Sequence, residues 1–69
     1  MSDFTEYEIV RSESNLRNVP KDTLGTILIV HDKKKCVYEV EFVDGNYNTI
    51  AVLTVFGHDL RKETLPTEN

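Results

Sequence analysis

The stretch Cys36-Val37-Tyr38-Glu39-Val40-Glu41-Phe42-Val43 alternates with a period of two. Successive side chains of a strand point to opposite faces, so Tyr38, Val40 and Phe42 share one face and Val37, Glu39 and Glu41 the other. A face carrying two carboxylates belongs in water, and a face of Tyr, Val and Phe belongs in a core. Upstream, Leu24-Gly25-Thr26-Ile27-Leu28-Ile29-Val30 is rich in β-branched residues; downstream, Thr49-Ile50-Ala51-Val52-Leu53-Thr54-Val55 is a third such run. Asp44-Gly45-Asn46 joins the last two as a hairpin, because Gly and Asn tolerate positive φ.

Two weaker strands flank this meander, Tyr7–Arg11 and Arg61–Leu65, the latter ended by Pro66. Phe56-Gly57-His58-Asp59-Leu60 has room for one 3₁₀ turn. The irregular segment Ser12–Thr23 is expected to be anchored by Leu16 and Val19. With no long helical period, the expectation is an all-β fold, a small five-stranded antiparallel SH3-like barrel with a short 3₁₀ turn before the last strand. Residues 1–69 then form a single SH3-like domain, with an ordered core over about 4–65 and Thr67-Glu68-Asn69 frayed. Val40, Phe42, Ile27, Ile29, Ile50 and Val52 are expected in the core.

A chain of 69 residues has room for one domain and a thin core. Cys36 is its only cysteine, so no internal disulfide forms. Cys36, His31 and His58 lack the spacing that gathers metal ligands, and neither a metal nor a cofactor is expected. No segment reaches the roughly 20 apolar residues that span a bilayer. The acidic, polar start is unlike a secretion signal, and the free thiol suits a reducing compartment. A cytoplasmic protein is expected.

The segments Gly25-Thr26-Ile27, Tyr38-Glu39-Val40-Glu41-Phe42 and Thr49-Ile50-Ala51-Val52-Leu53-Thr54-Val55, followed by a short turn and Leu60, resemble the bacterial DUF4926 family. The resemblance covers about Tyr7 to Leu60. It implies small proteins of unassigned function, similar to interaction or immunity-type proteins. Pro20-Lys21-Asp22-Thr23 stands where that family often has Gly-Asp. Asp tolerates a left-handed turn, so the turn is expected to survive.

The charge balance, twelve acidic residues against eight basic ones, gives −4 and argues against polyanion partners. Lys33-Lys34-Lys35 is the one basic cluster and reads as a hairpin tip. No phosphate-cradling motif is present. Glu39 and Glu41 have the separation of paired catalytic carboxylates, but alternate acids on a strand face are ordinary and a barrel this small has little room for a substrate. An aromatic cation cage from Tyr7, Tyr38, Tyr47 and Phe56 is disfavoured because Tyr38 faces the core. Neither an enzyme nor a binder of nucleic acid, membrane or small-molecule substrate is expected. Strands two and four are apolar on both faces, which leaves apolar surface for a protein partner or for self-association. Leu28 and Leu53 are candidates for the centre of that surface; Glu39, Glu41, Asp44 and Tyr47 are candidates for its rim. The expected function is a non-catalytic protein-interaction module, such as an antitoxin- or immunity-like partner that occludes another protein. The alternatives are an accessory structural subunit of a larger complex and a nucleic-acid-binding module.

Overall fold

A computed structural model describes residues 3–63. The strands are β1 (Ile9–Ser12), β2 (Leu24–Asp32), β3 (Val37–Val43), β4 (Thr49–Phe56) and β5 (Leu60–Lys62), with a 3₁₀ turn at Gly57–Asp59. All pair antiparallel in one sheet of order β4-β3-β2-β1-β5. The all-β class, the strand number and the 3₁₀ turn before the last strand are those expected from the sequence. β5 ends at Lys62, so Glu63 falls outside the expected strand; the rest of its expected run to Leu65 and the frayed Thr67-Glu68-Asn69 lie outside the described residues.

The connection between the two edges makes the sheet curl. Laid flat, five strands would separate β4 from β5 by about 19 Å. A single 3₁₀ turn rises only about 2 Å per residue. Gly57–Asp59 can join Phe56 to Leu60 only if the two edges bend toward each other at that corner.

The core lies inside the curl. It contains Phe4, Val10, Val19, Ile27, Tyr38, Val40, Phe42, Val55 and Leu60, all buried. Tyr38, Val40 and Phe42 point inward as their alternation requires. Phe4 was not expected there. Its ring meets Tyr38 edge-on, with centroids 5.5 Å apart, and its backbone N–H donates to Tyr38 Oη at 3.2 Å. Burial pushes the Tyr38 phenol above its ordinary range, and the bond from Phe4 opposes that shift.

Three core expectations are corrected. Ile29, Ile50 and Val52 are 43%, 39% and 46% exposed. On β2, a register shift between Ile27 and Ile29 resets the alternation, and Ile29 stands opposite Glu39 on the outer face. On β4, Leu53 pairs with Val40 and Ala51 with Phe42, so those two turn inward and Ile50 and Val52 turn out. Both halves of β4 are apolar, so hydropathy alone could not choose its facing.

The Ser12–Thr23 loop is pinned at its base. Buried Ser12 donates through Oγ to the Pro20 carbonyl at 2.7 Å and accepts the Thr23 N–H at 3.0 Å. Val19 is buried and Leu16 packs against the core, as expected. Asp22 takes φ 71°, so the left-handed turn survives without glycine. In the β3–β4 connection the left-handed residue is Tyr47, at φ 65°, and not Gly45. Cys36 likewise ends the β2–β3 turn at φ 56° instead of starting the strand.

Ion pairs fasten the β1–β5 side. Arg11 Nε meets Glu63 Oε1 at 2.7 Å, and Lys62 Nζ meets Glu8 Oε2 at 2.7 Å. The hydrogen bond from Arg11 holds the Glu63 carboxyl below its ordinary value of 4.5. The bond from Lys62 does the same for Glu8. Unfolding removes these partners, so the unfolded chain binds more protons in acid. Their stabilisation is complete above the ordinary carboxylate values and is lost as pH falls through the lowered folded ones. The melting temperature is expected to hold from about pH 7 to 5 and to decline below about 4.5. Glu63→Gln should make that decline shallower. A melting temperature that stays level to about pH 3 would contradict this assignment.

Candidate protein-binding face

The outer face of the sheet is assembled by register. β3 lies between β2 and β4, so each outward residue of β3 sits in the middle of a row. Ile9, Thr26, Glu41 and Val52 form one row across β1, β2, β3 and β4. Ile29, Glu39 and Thr54 form the next, and Asp32, Val37 and Phe56 the one beyond. Ile9 is 39% and Phe56 51% exposed, so apolar side chains flank the two carboxylates on both sides.

Both carboxylates are held in place. Glu39 Oε1 lies 2.9 Å from His31 Nε2, and Glu41 accepts a hydrogen bond from the Thr49 hydroxyl. Glu39 and Glu41 were expected at the rim of an apolar patch. Their position on β3, one strand in from the β4 edge, instead sets them between outward side chains of β2 and β4.

The other expected contact residues are dispersed. Leu28 falls in the β2 register shift and is half-buried. Leu53 packs on the core side of β4. Asp44 and Tyr47 lie in the β3–β4 turn, where Tyr47 is 77% exposed. Asp44 accepts N–H bonds from Asn46 at 2.8 Å and Asn48 at 3.0 Å, which keep its carboxyl below the ordinary 3.8. Its charge is thus engaged in building the turn. Ile9, Ile29, Ile50, Val52 and Phe56 were not anticipated as surface groups. Carrying the clean β3 alternation across the ladder would have found Val52 and Phe56.

Open grooves flank the sheet, two of them beside β4. One, of about 390 Å³, is lined by Arg11, Asp22, Leu24, Asp44, Tyr47 and Ile50 among others. Arg11 is already committed there to Glu63 and to the Asp22 carbonyl. The other, of about 540 Å³, runs between Val52–Phe56 of β4 and the loop residues Asn15, Leu16 and Arg17. The ring of His58 stacks on Phe56 at 5.6 Å. Lys33, Lys34 and Lys35 are exposed in the β2–β3 turn. Among the described residues, no group of three or more His, Cys, Asp or Glu side chains gathers as a metal site would require, and no helix is long and apolar enough to cross a membrane.

A family model described as a domain of unknown function (DUF4926) matches residues 6–62. No curated protein and no solved structure matches.

Proposed function

Since the chain belongs to the DUF4926 family, whose description assigns no activity, we propose its role from its own surface: a non-catalytic protein-binding module of the antitoxin or immunity kind. The observation that carries this reading is the outer sheet face. It sets two oriented carboxylates, Glu39 and Glu41, among the exposed side chains of Ile9, Ile29, Val52 and Phe56. Apolar groups supply contact area, and oriented charges select a partner and speed its encounter. The complementary partner is a protein whose contact surface places lysine or arginine among apolar residues, as a basic nuclease would. The curled sheet supports the SH3-like barrel, a fold that serves many unrelated functions. The free Cys36 thiol supports a cytoplasmic setting.

The test begins with affinity capture from the native cells, followed by binding kinetics on the recovered partner. Ile29→Asp is expected to weaken binding at least about tenfold, because it puts an unpaired charge into the contact. Glu39→Lys with Glu41→Lys should slow association and reverse its dependence on salt. All three positions are at least partly exposed and outward, so the variants should melt close to the wild type. Folded variants that bind the partner with unchanged kinetics would exclude this face.

A further inference from the structure

The two edges of the sheet are built differently. β5 is three residues long and carries Arg61 and Lys62, the short, charged kind of edge that resists pairing with another strand. β4 is eight residues long, Thr49-Ile50-Ala51-Val52-Leu53-Thr54-Val55-Phe56, without a charge or a proline. Among the described residues it pairs with β3 alone. The register shift in its ladder lies at its first turn, between the pairings of Phe42 and Val43, and the rest of the strand is regular. Along Ala51–Val55 the strand has no charge, proline or bulge; at its end the Phe56 N–H is already taken by Asp59 Oδ2 at 3.0 Å, and Asn15, Leu16 and Arg17 line the groove beside it.

We propose that β4 is the seam of a symmetric homodimer, in which the β4 strands of two copies pair antiparallel and join two sheets into one. The seam shares Val52 and Phe56 with the binding face above, but it rests on the backbone edge of β4 and not on Glu39, Glu41 or Ile29. Three observations favour a second copy as the occupant.

The first is charge. The chain carries −4, yet the seam itself is neutral. Across the seam, the β3 strands of the two copies stand three spacings apart, about 14 Å, which exceeds the screening length of about 8 Å at physiological salt. Glu39 and Glu41 of the two copies therefore repel only weakly.

The second is register. Residues directly opposite in an antiparallel pair share a face. Val52 points outward and Leu53 inward, so the two-fold axis cannot pass between them; it must pass through a residue. Centred on Leu53, the pairing sets Val52 against Thr54 of the second copy and Ile50 against Phe56. Ala51 then meets Val55 on the inner side. Every residue from Ile50 to Phe56 faces a counterpart, although the Phe56 N–H is already held by Asp59 Oδ2 at 3.0 Å, and the exposed Ile50, Val52 and Phe56 side chains all gain cover.

The third is room. The groove of about 540 Å³ between Val52–Phe56 and Asn15, Leu16 and Arg17 lies beside this edge, where the inner side chains of an incoming strand would sit. A seam of eight residues a side is well short of the roughly 20–30 residues a side of a standard interface, so the dimer should depend on concentration.

Sedimentation of the full chain from low micromolar to near-millimolar concentration tests the seam. The wild type is expected to pass from monomer to dimer. Val52→Lys with Thr54→Lys puts lysine against lysine at two symmetric places and should raise the dissociation constant at least about tenfold. Both positions are exposed, so the variant's circular dichroism should match the wild type. A wild type that stays monomeric throughout, or a folded variant that dimerises equally well, overturns the proposal. Should the variant fail to fold, amide exchange on the wild type decides: β4 amides must gain protection as concentration rises, and protection independent of concentration overturns it. Loss of the partner protein through Glu39→Lys and Glu41→Lys, with dimerisation unchanged, would separate the two proposals.

Discussion

Phe42→Ala should leave little folded protein at room temperature. Phe42 is fully buried on β3, the strand between β2 and β4, and its ring packs over Gly25. Removing a buried phenylalanine costs about 3–5 kcal/mol, from lost burial and from the cavity left behind. At about 0.05–0.15 kcal/mol per residue, a chain of this length has about 3–10 kcal/mol in total. The loss is therefore of the same order as the whole stability. Urea denaturation followed by circular dichroism measures it, and Phe56→Ala provides the contrast. Phe56 is half exposed on the outer face, so its truncation should change stability by about 0.5 kcal/mol or less. Equal effects at the two positions would mean that the inside and outside of this sheet have been exchanged.

Gly25→Val is expected to be nearly as severe, against the direction of strand propensity. Valine is a better strand former than glycine by as much as about 1 kcal/mol. At Gly25, however, a Cβ would lie 2.8 Å from Val40 Cγ1 and 2.9 Å from Phe42 Cδ1. Val40 and Phe42 are both fully buried, so neither can move into solvent. Overpacking of this kind costs about 1–3 kcal/mol, and two further methyl groups place valine at the upper end. The steric cost exceeds the propensity gain. Shrinking the opposing ring provides the control, since Gly25→Val should cost less in a Phe42→Leu background than in the wild type. If the two effects simply add, the contact between residue 25 and residue 42 is not the cause.

The residues that reported their facing were those with a polar neighbour at every second position. On β3, Glu39 and Glu41 mark the wet face, so Tyr38, Val40 and Phe42 could be placed inside from hydropathy alone. β2 and β4 offer no such mark. Their facing is fixed by the ladder to β3 and by the register shift at Ile27/Ile29, neither of which is a property of one strand. The same ambiguity carried Leu53 to the expected surface and Ile50 and Val52 to the expected core. Phe4 was hidden for another reason: its burial depends on Tyr38, 34 positions away. Glu39 and Glu41 were legible as acids on the wet face, but their place between the outward side chains of β2 and β4 follows from strand order, which a single sequence does not display.

The fastening of β1 to β5 also sets the order in which the chain can assemble. The β2–β3 and β3–β4 pairings need only short turns to close, and such hairpins form in roughly microseconds. Arg11 and Glu63 are 52 positions apart, and the β1–β5 ladder gains nothing until that long loop has closed. Loop-closure entropy therefore places this pairing after the meander has formed. Until then the hairpins exist with the core side of the sheet uncovered and the neutral β4 edge already extended. The β1–β5 pairing is therefore expected to be the slow step, and the species that waits for it is the one most exposed to pairing with its neighbours in a crowded solution.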